Sequence, residues 1–135
     1  SKGMAASWQQ QLAAHYTLLP FCPECAGGLP TPRPAAEIRG GHGTNVLAGQ
    51  AHVVTAAGQD VGAAFVRGAQ LALALAQQHG CTLALLKANS PSCGNRQIYS
   101  GQFDGQLQEG AGVCAALLQQ HGITVYNETE LAQLL

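Results

Sequence analysis

Two short segments carry the residue types that can do chemistry. Cys22-Pro23-Glu24-Cys25 sets two thiols three residues apart with a carboxylate between them, and Ser90-Pro91-Ser92-Cys93-Gly94 carries a further thiol. Thiols in such segments serve as a redox pair, as zinc ligands or as iron–sulfur ligands. The redox reading needs a helix N-terminus to lower a thiol pKa, and Gly27-Gly28-Leu29-Pro30 cannot continue a helix. A structural zinc needs four ligands, for which Cys22, Cys25, Cys93 and a histidine such as His42 would be the set. Iron–sulfur ligation asks only that several thiolates converge from neighbouring loops. Cys81 at a strand start and Cys114 within a helix face read as buried small apolar residues. Glu24, beside two thiols, is either an acid–base group or a surface charge. Arg33 either holds an anionic or carbonyl-bearing substrate or pairs with Glu37 and orders the proline-rich loop that separates Glu24 from Glu37.

The elements that must position these residues follow from punctuation and periodicity. Gln77-Gln78-His79-Gly80-Cys81-Thr82 and Gln119-Gln120-His121-Gly122-Ile123-Thr124 each close an apolar helix, with the Gly at the left-handed position that ends it. The first helix starts near Asp60 and turns Val61, Ala64, Phe65, Gly68, Ala72 and Leu75 inward; the second runs from about Glu109 to His121. Thr82–Lys87 and Ile123–Tyr126 read as buried strands, and Asn127 with Glu130 caps a short last helix. Upstream, Trp8–His15 reads as a helix, Thr17–Phe21 as a strand and Val53–Thr55 as a further strand. Arg39–Thr44 is a mobile connector without the lysine of a phosphate loop, and Tyr99–Gly112 a hairpin or loop. Strands separated by helices of this length predict a three-layer, Rossmann-like α/β domain with a mostly parallel sheet. No G-x-G-x-x-G follows a strand, so dinucleotide binding is not indicated. Ligands of such sheets bind beyond the carboxyl ends of the strands. Both thiol-bearing loops follow an expected strand and should project from that one edge.

Composition narrows the partners. The chain has 135 residues, 10% of them charged, and a net charge of -1, which gives no electrostatic footprint for nucleic acid or an anionic membrane. No apolar run approaches the ~18–20 residues of a membrane-spanning helix. Five cysteines behind a start with no apolar leader point to a reducing, cytoplasmic setting. Residues 1–7 read as a tag remnant or disordered start, and 8–135 as one α/β domain.

Phe21-Cys22-Pro23-Glu24 followed by Gly27-Gly28-Leu29-Pro30-Thr31-Pro32-Arg33-Pro34 is similar to the signature of a widespread bacterial family catalogued as a domain of unknown function. Lys87-Ala88-Asn89-Ser90-Pro91-Ser92-Cys93-Gly94 and Ile98-Tyr99-Ser100-Gly101-Gln102-Phe103-Asp104-Gly105 continue the resemblance in the same order. The characterised branch is the thiouracil desulfidases. The resemblance implies a 4Fe-4S cluster on three cysteines, its open iron taking sulfur from a small thiolated compound while water replaces it. It implies Cys22 and Cys93 as ligands, Glu24 as the proton-transfer group and Ser90 as the residue positioning substrate or water. Arg33 and Ser92 are the expected substrate contacts. Family members also begin with a strand ending in Cys-Leu-Leu-Gly, whose cysteine is the third ligand; nothing equivalent precedes Trp8. Two expectations follow: Cys25 serves as third ligand, or the chain is a shortened relative that keeps the fold and has lost the cluster. The missing strand and the low charge also lead to an expected homodimer.

Overall fold

The computed structural model describes the backbone of residues 2–135 and the side chains from Trp8 onward. The expected tag remnant or disordered start falls on Ser1 and on side chains 2–7, which lie outside the described residues. The order is α1 (Lys2–Ala13), α2 (Pro23–Ala26), β1 (Ala36–Arg39), α3 (Gly43–Leu47), β2 (His52–Thr55), α4 (Gly62–Gln78) and β3 (Leu83–Leu86). Then come β4 (Gln97–Tyr99), β5 (Leu107–Glu109), α5 (Val113–Gln120), β6 (Thr124–Asn127) and a closing 3-10 turn (Glu128–Gln133).

The helix ends obey the local chemistry. Gly80 and Gly122 adopt φ of 65° and 79°, and the amides of Cys81 and Ile123 reach back to Ala76 O (2.8 Å) and Leu118 O (3.0 Å). That is the Schellman ending, which satisfies carbonyls the helix leaves free. At the start of α4, Asp60 Oδ1 accepts from Gly62 N at 2.8 Å. At the C-terminal turn, Asn127 Oδ1 accepts from Thr129 N at 2.8 Å while Asn127 N donates to Glu130 Oε1 at 3.0 Å. The stretch around Arg39–Thr44 is not a bare connector: it leads into α3, where His42 N donates to Asn45 Oδ1 at 3.0 Å.

The strands pair two by two. β3 and β6 run parallel, Leu83 opposite Thr124 and Leu86 opposite Asn127. β1 and β2 are antiparallel, as is the expected hairpin of β4 and β5. The mixed α/β class holds, but the expected mostly parallel sheet does not describe these strands: among the described residues one strand pair of three is parallel, and the three-layer, Rossmann-like arrangement is not seen in them. Part of the reason lies in Thr17–Phe21, which forms no strand. Pro20 removes a ladder donor, and Leu18, Leu19 and Phe21 stay 38–43% exposed. The other part is β1, which the sequence reading missed and which takes β2 as an antiparallel partner.

The core sits between α4, α5 and the strands. Ile38, Val53, Phe65, Ala69, Ile98, Val113, Leu118, Ile123 and Val125 are buried. Each of the larger ones contributes roughly 1.5–3 kcal/mol on burial. Cys114 is part of this core, as expected, whereas Cys81 is half-buried.

Candidate active site

Cys22 stands at the N-cap of α2 in extended conformation, and Pro23 with its fixed φ starts the single helical turn. A helix does form here, then, but it ends at Gly27 and Gly28 after one turn. Two glycines let this turn rest directly on α4. A Cβ on Gly68 would overlap the Pro23 carbonyl, and a Cβ on Gly27 would overlap the Ala64 carbonyl. Arg67 Nη1 adds a bond to Gly27 O at 3.2 Å.

The second loop is held by α5. The first amides of a helix have no partner within it, and here the loop supplies carbonyls. Val113 N donates to Pro91 O at 2.8 Å, Cys114 N and Ala115 N to Ser92 O at 2.9 and 3.1 Å, and Gly112 N to Gly94 O at 2.8 Å. Inside the loop, Cys93 N donates to Ser90 Oγ at 2.7 Å. Asn89 takes a left-handed φ of 71° and forms a parallel bridge with Ile98.

Between the loops lies an open cavity of about 800 Å³, lined by Glu24, Pro30, Arg33, Glu37, Lys87, Ser90 and Tyr99 among others. Arg33 Nε donates to Glu24 Oε2 at 2.6 Å, and Arg33 Nη1 reaches Cys25 Sγ at 3.7 Å. Cys25 Sγ also lies 3.4 Å from Thr31 Oγ1. Hydrogen bonds from Thr31, then Cys22 and Arg33, lower the Cys25 thiol pKa below its ordinary value. Cys93 is half-buried, and loss of solvent pushes its thiol up, with Glu24 and Cys22 adding repulsion. Buried Cys114 is pushed up to about 12 by the same loss of solvent.

The structure brings Cys22, Glu24, Cys25, Arg33, Ser90 and Cys93 to one region, and separates two other expected partners. Arg33 pairs with Glu24 and not with Glu37, whose buried carboxylate accepts from Gly101 N at 2.9 Å and Phe103 N at 3.1 Å. Ser92 is fully buried and off the cavity wall, its hydroxyl near the Cys93 sulfur without hydrogen-bond geometry to any described partner. His42 caps α3 and packs on Gly110. Among the described residues no three histidine, cysteine or carboxylate side chains converge on a single-ion point, so the four-ligand zinc set is not assembled.

The sequence reading also missed Lys87 and Tyr99 on the cavity wall, and a second, polar cavity of about 780 Å³ lined by Asn89, Asn95, Arg96, Glu109 and Asn127. Their one signal was position, at or within three residues of a strand terminus. No described helix is long and apolar enough to cross a membrane.

A small α/β domain with a carboxylate-lined cavity between two proline-stiffened loops, and thiols of both loops beside its Glu24–Arg33 pair, is the class that this fold and site define. The profile of the 2-thiouracil desulfurase family matches residues 2–130, and the chain belongs to that family. Among curated proteins it is similar to the uncharacterized protein YbbK of Bacillus subtilis (strain 168), at 49% identity over 114 residues, covering 84% of this chain and 76% of that protein. Among solved structures it resembles one described as the [4Fe-4S]-dependent thiouracil desulfidase TudS (DUF523Vcz). Identity there is 50% and the TM-score 0.82, covering 94% of this chain and 78% of that one.

Proposed function

We propose that this protein is a desulfidase that exchanges the sulfur of a small thiocarbonyl compound such as thiouracil for oxygen. The balance is that of a hydrolysis: C=S and water give C=O and hydrogen sulfide, with no net electron transfer. The observation that carries the reading is the grouping of Cys22, Cys25 and Cys93 about the Glu24–Arg33 pair that lines one open cavity, in a chain half identical to a 4Fe-4S-dependent thiouracil desulfidase.

The cofactor that this likeness implies is a 4Fe-4S cluster. A single ion requires its ligands to meet at a point, which these thiols do not do. A cluster presents a separate iron to each thiolate, so thiols spread over two facing loops suit it. Cys22, Cys25 and Cys93 would hold a 4Fe-4S cluster, with Cys25 completing the set. When bound, such a cluster supplies a soft, Lewis-acidic iron with affinity for sulfur. The chain supplies the rest. Glu24 Oε2 is held by Arg33, and Oε1 makes no hydrogen bond among the described residues, leaving it to take or give a proton at the cavity. Ser90, anchored by the Cys93 amide, lies on the wall where it would orient water or substrate.

The test is anaerobic reconstitution with iron and sulfide, followed by bound iron and sulfide release from 2-thiouracil. About four irons per chain are expected, lost in both Cys22→Ser and Cys93→Ser. A folded protein that takes up no iron would instead be a cluster-free member of the family that binds small molecules or metals through the same cavity.

A further inference from the structure

Arg33 stands on the cavity wall, yet its donors are already committed. Nε donates to Glu24 Oε2 at 2.6 Å, and Nη1 reaches Pro30 O at 3.1 Å, Thr31 Oγ1 at 3.3 Å and Cys25 Sγ at 3.7 Å. Nη2 lies 4.0 Å from Cys22 Sγ. A guanidinium recognises a carbonyl or anion through a free edge of two parallel N–H groups. Here one edge faces Glu24 and the others face the loop and both sulfurs, and the side chain is only 22% exposed.

We propose that Arg33 is the counter-charge of the Cys22 and Cys25 sulfurs, a positioning residue that sets the electron affinity of the metal centre they hold, and not a substrate contact. The proposal rests on the reading that these cysteines ligate a cluster. Hydrogen bonds to ligand sulfurs and nearby net charge are the protein's levers on cluster potential. A fixed cation with N–H groups aimed at two sulfurs favours the more negatively charged state, and so raises the potential. The hydrolysis itself moves no net electrons, which makes the potential a report on charge at the sulfurs that is independent of turnover. Thr31 belongs to the same device, since its hydroxyl contacts both the guanidinium and Cys25 Sγ.

The experiment reconstitutes wild type, Arg33→Lys, Arg33→Gln and Thr31→Val anaerobically. It measures bound iron, the midpoint potential by EPR-monitored titration, and kcat and KM for 2-thiouracil. Arg33→Gln is expected to shift the potential to more negative values and to lower kcat or iron affinity by roughly 10–100-fold, as for other partners of metal ligands, with KM nearly unchanged. Arg33→Lys restores part of the shift, and Thr31→Val moves it the same way by less. If Arg33→Gln does not load while Arg33→Lys does, the same charge requirement is read as iron content. A wild-type potential in loaded Arg33→Gln, or in both Arg33→Lys and Thr31→Val where Arg33→Gln does not load, overturns the proposal. So does an effect confined to KM, which would place Arg33 on the substrate. A wild-type protein that binds no iron removes the cluster reading and this inference together; a loaded wild type with an indifferent Arg33 removes this inference alone.

Discussion

Gly68, inside α4, lies against the carbonyl of Pro23 so closely that no Cβ fits between them. The cysteine-bearing turn is therefore seated on the backbone of α4 and not on its side chains. Elsewhere in a helix, alanine in place of glycine gains about 1 kcal/mol. Here the overlap is with backbone that cannot rotate away, so overpacking dominates and Gly68→Ala should destabilise by roughly 1–3 kcal/mol. The turn that carries Cys22 and Cys25 must move as well. Urea denaturation reads the first effect, and weaker iron uptake by the still-folded variant reads the second.

The pairing of Glu24 with Arg33 orients the carboxylate without removing it from the cavity. Glu24→Gln preserves size and keeps an oxygen that can accept from Arg33, but it cannot take up a proton. Turnover of 2-thiouracil should fall by about 10²–10⁴, the usual worth of a positioned acid–base group, while bound iron stays at the wild-type level. Loss of iron in Glu24→Gln would show that the residue supports the thiols and not the proton transfer.

What was legible in the sequence was local. The Schellman endings at Gly80 and Gly122, the Asn127–Glu130 cap and the turn from Tyr99 to Gly112 each depend on residues a few positions apart, and the structure contains them all. Strand pairing is a long-range choice. Thr17–Phe21 has the apolar content of a strand, yet no neighbour offers it a ladder, whereas Ala36–Arg39 hides between prolines and glycines and still finds β2. The site split along the same line. That the two thiol-bearing loops share a region was expected from a common sheet edge, but Thr17–Phe21 forms no strand, and the first loop is placed by its seat on α4 instead. Which acid Arg33 takes did not, because Glu37, four residues away, and Glu24, nine away, are equally reachable from sequence. The choice was made by Gly101 and Phe103, whose amides occupy Glu37 from more than sixty positions downstream. The burial of Ser92 was hidden for a related reason: its neighbour Cys93 is only half-buried, but the carbonyl of Ser92 caps α5 and draws the residue inside.

Asp60 ties α4 to the start of β2. Its Oδ1 caps Gly62 N at 2.8 Å, its Oδ2 lies 3.0 Å from His52 Nδ1, and the Gly62 amide followed by His52 holds its pKa below the usual carboxylate value. A depressed carboxylate pKa means that the stabilisation is present above the unfolded-state value and lost as pH falls through the folded one. Asp60→Ala should cost about 0.5–2 kcal/mol at neutral pH, as for other caps. The gap to wild type should hold down to about pH 3.9, the unfolded aspartate value, and close below it. Thermal melts across that range test the sign; a gap that widens on acidification would contradict the cap.

The three thiols about the Glu24–Arg33 pair are not chemically equal before any metal arrives. Cys25 is exposed, with its pKa lowered by Thr31, Cys22 and Arg33, while Cys93 is half-buried with its pKa raised. The thiolate is the reactive species. In metal-free reduced protein near pH 7.5, iodoacetamide should therefore label Cys25 well before Cys93, and Cys114, buried and pushed up to about 12, last of all. Peptide mass spectrometry after timed quenching gives the order directly. Protein loaded with iron should lose the labelling of Cys25 and Cys93 together if both sulfurs are ligands, whereas protection of Cys93 without Cys25 would place the third ligand elsewhere.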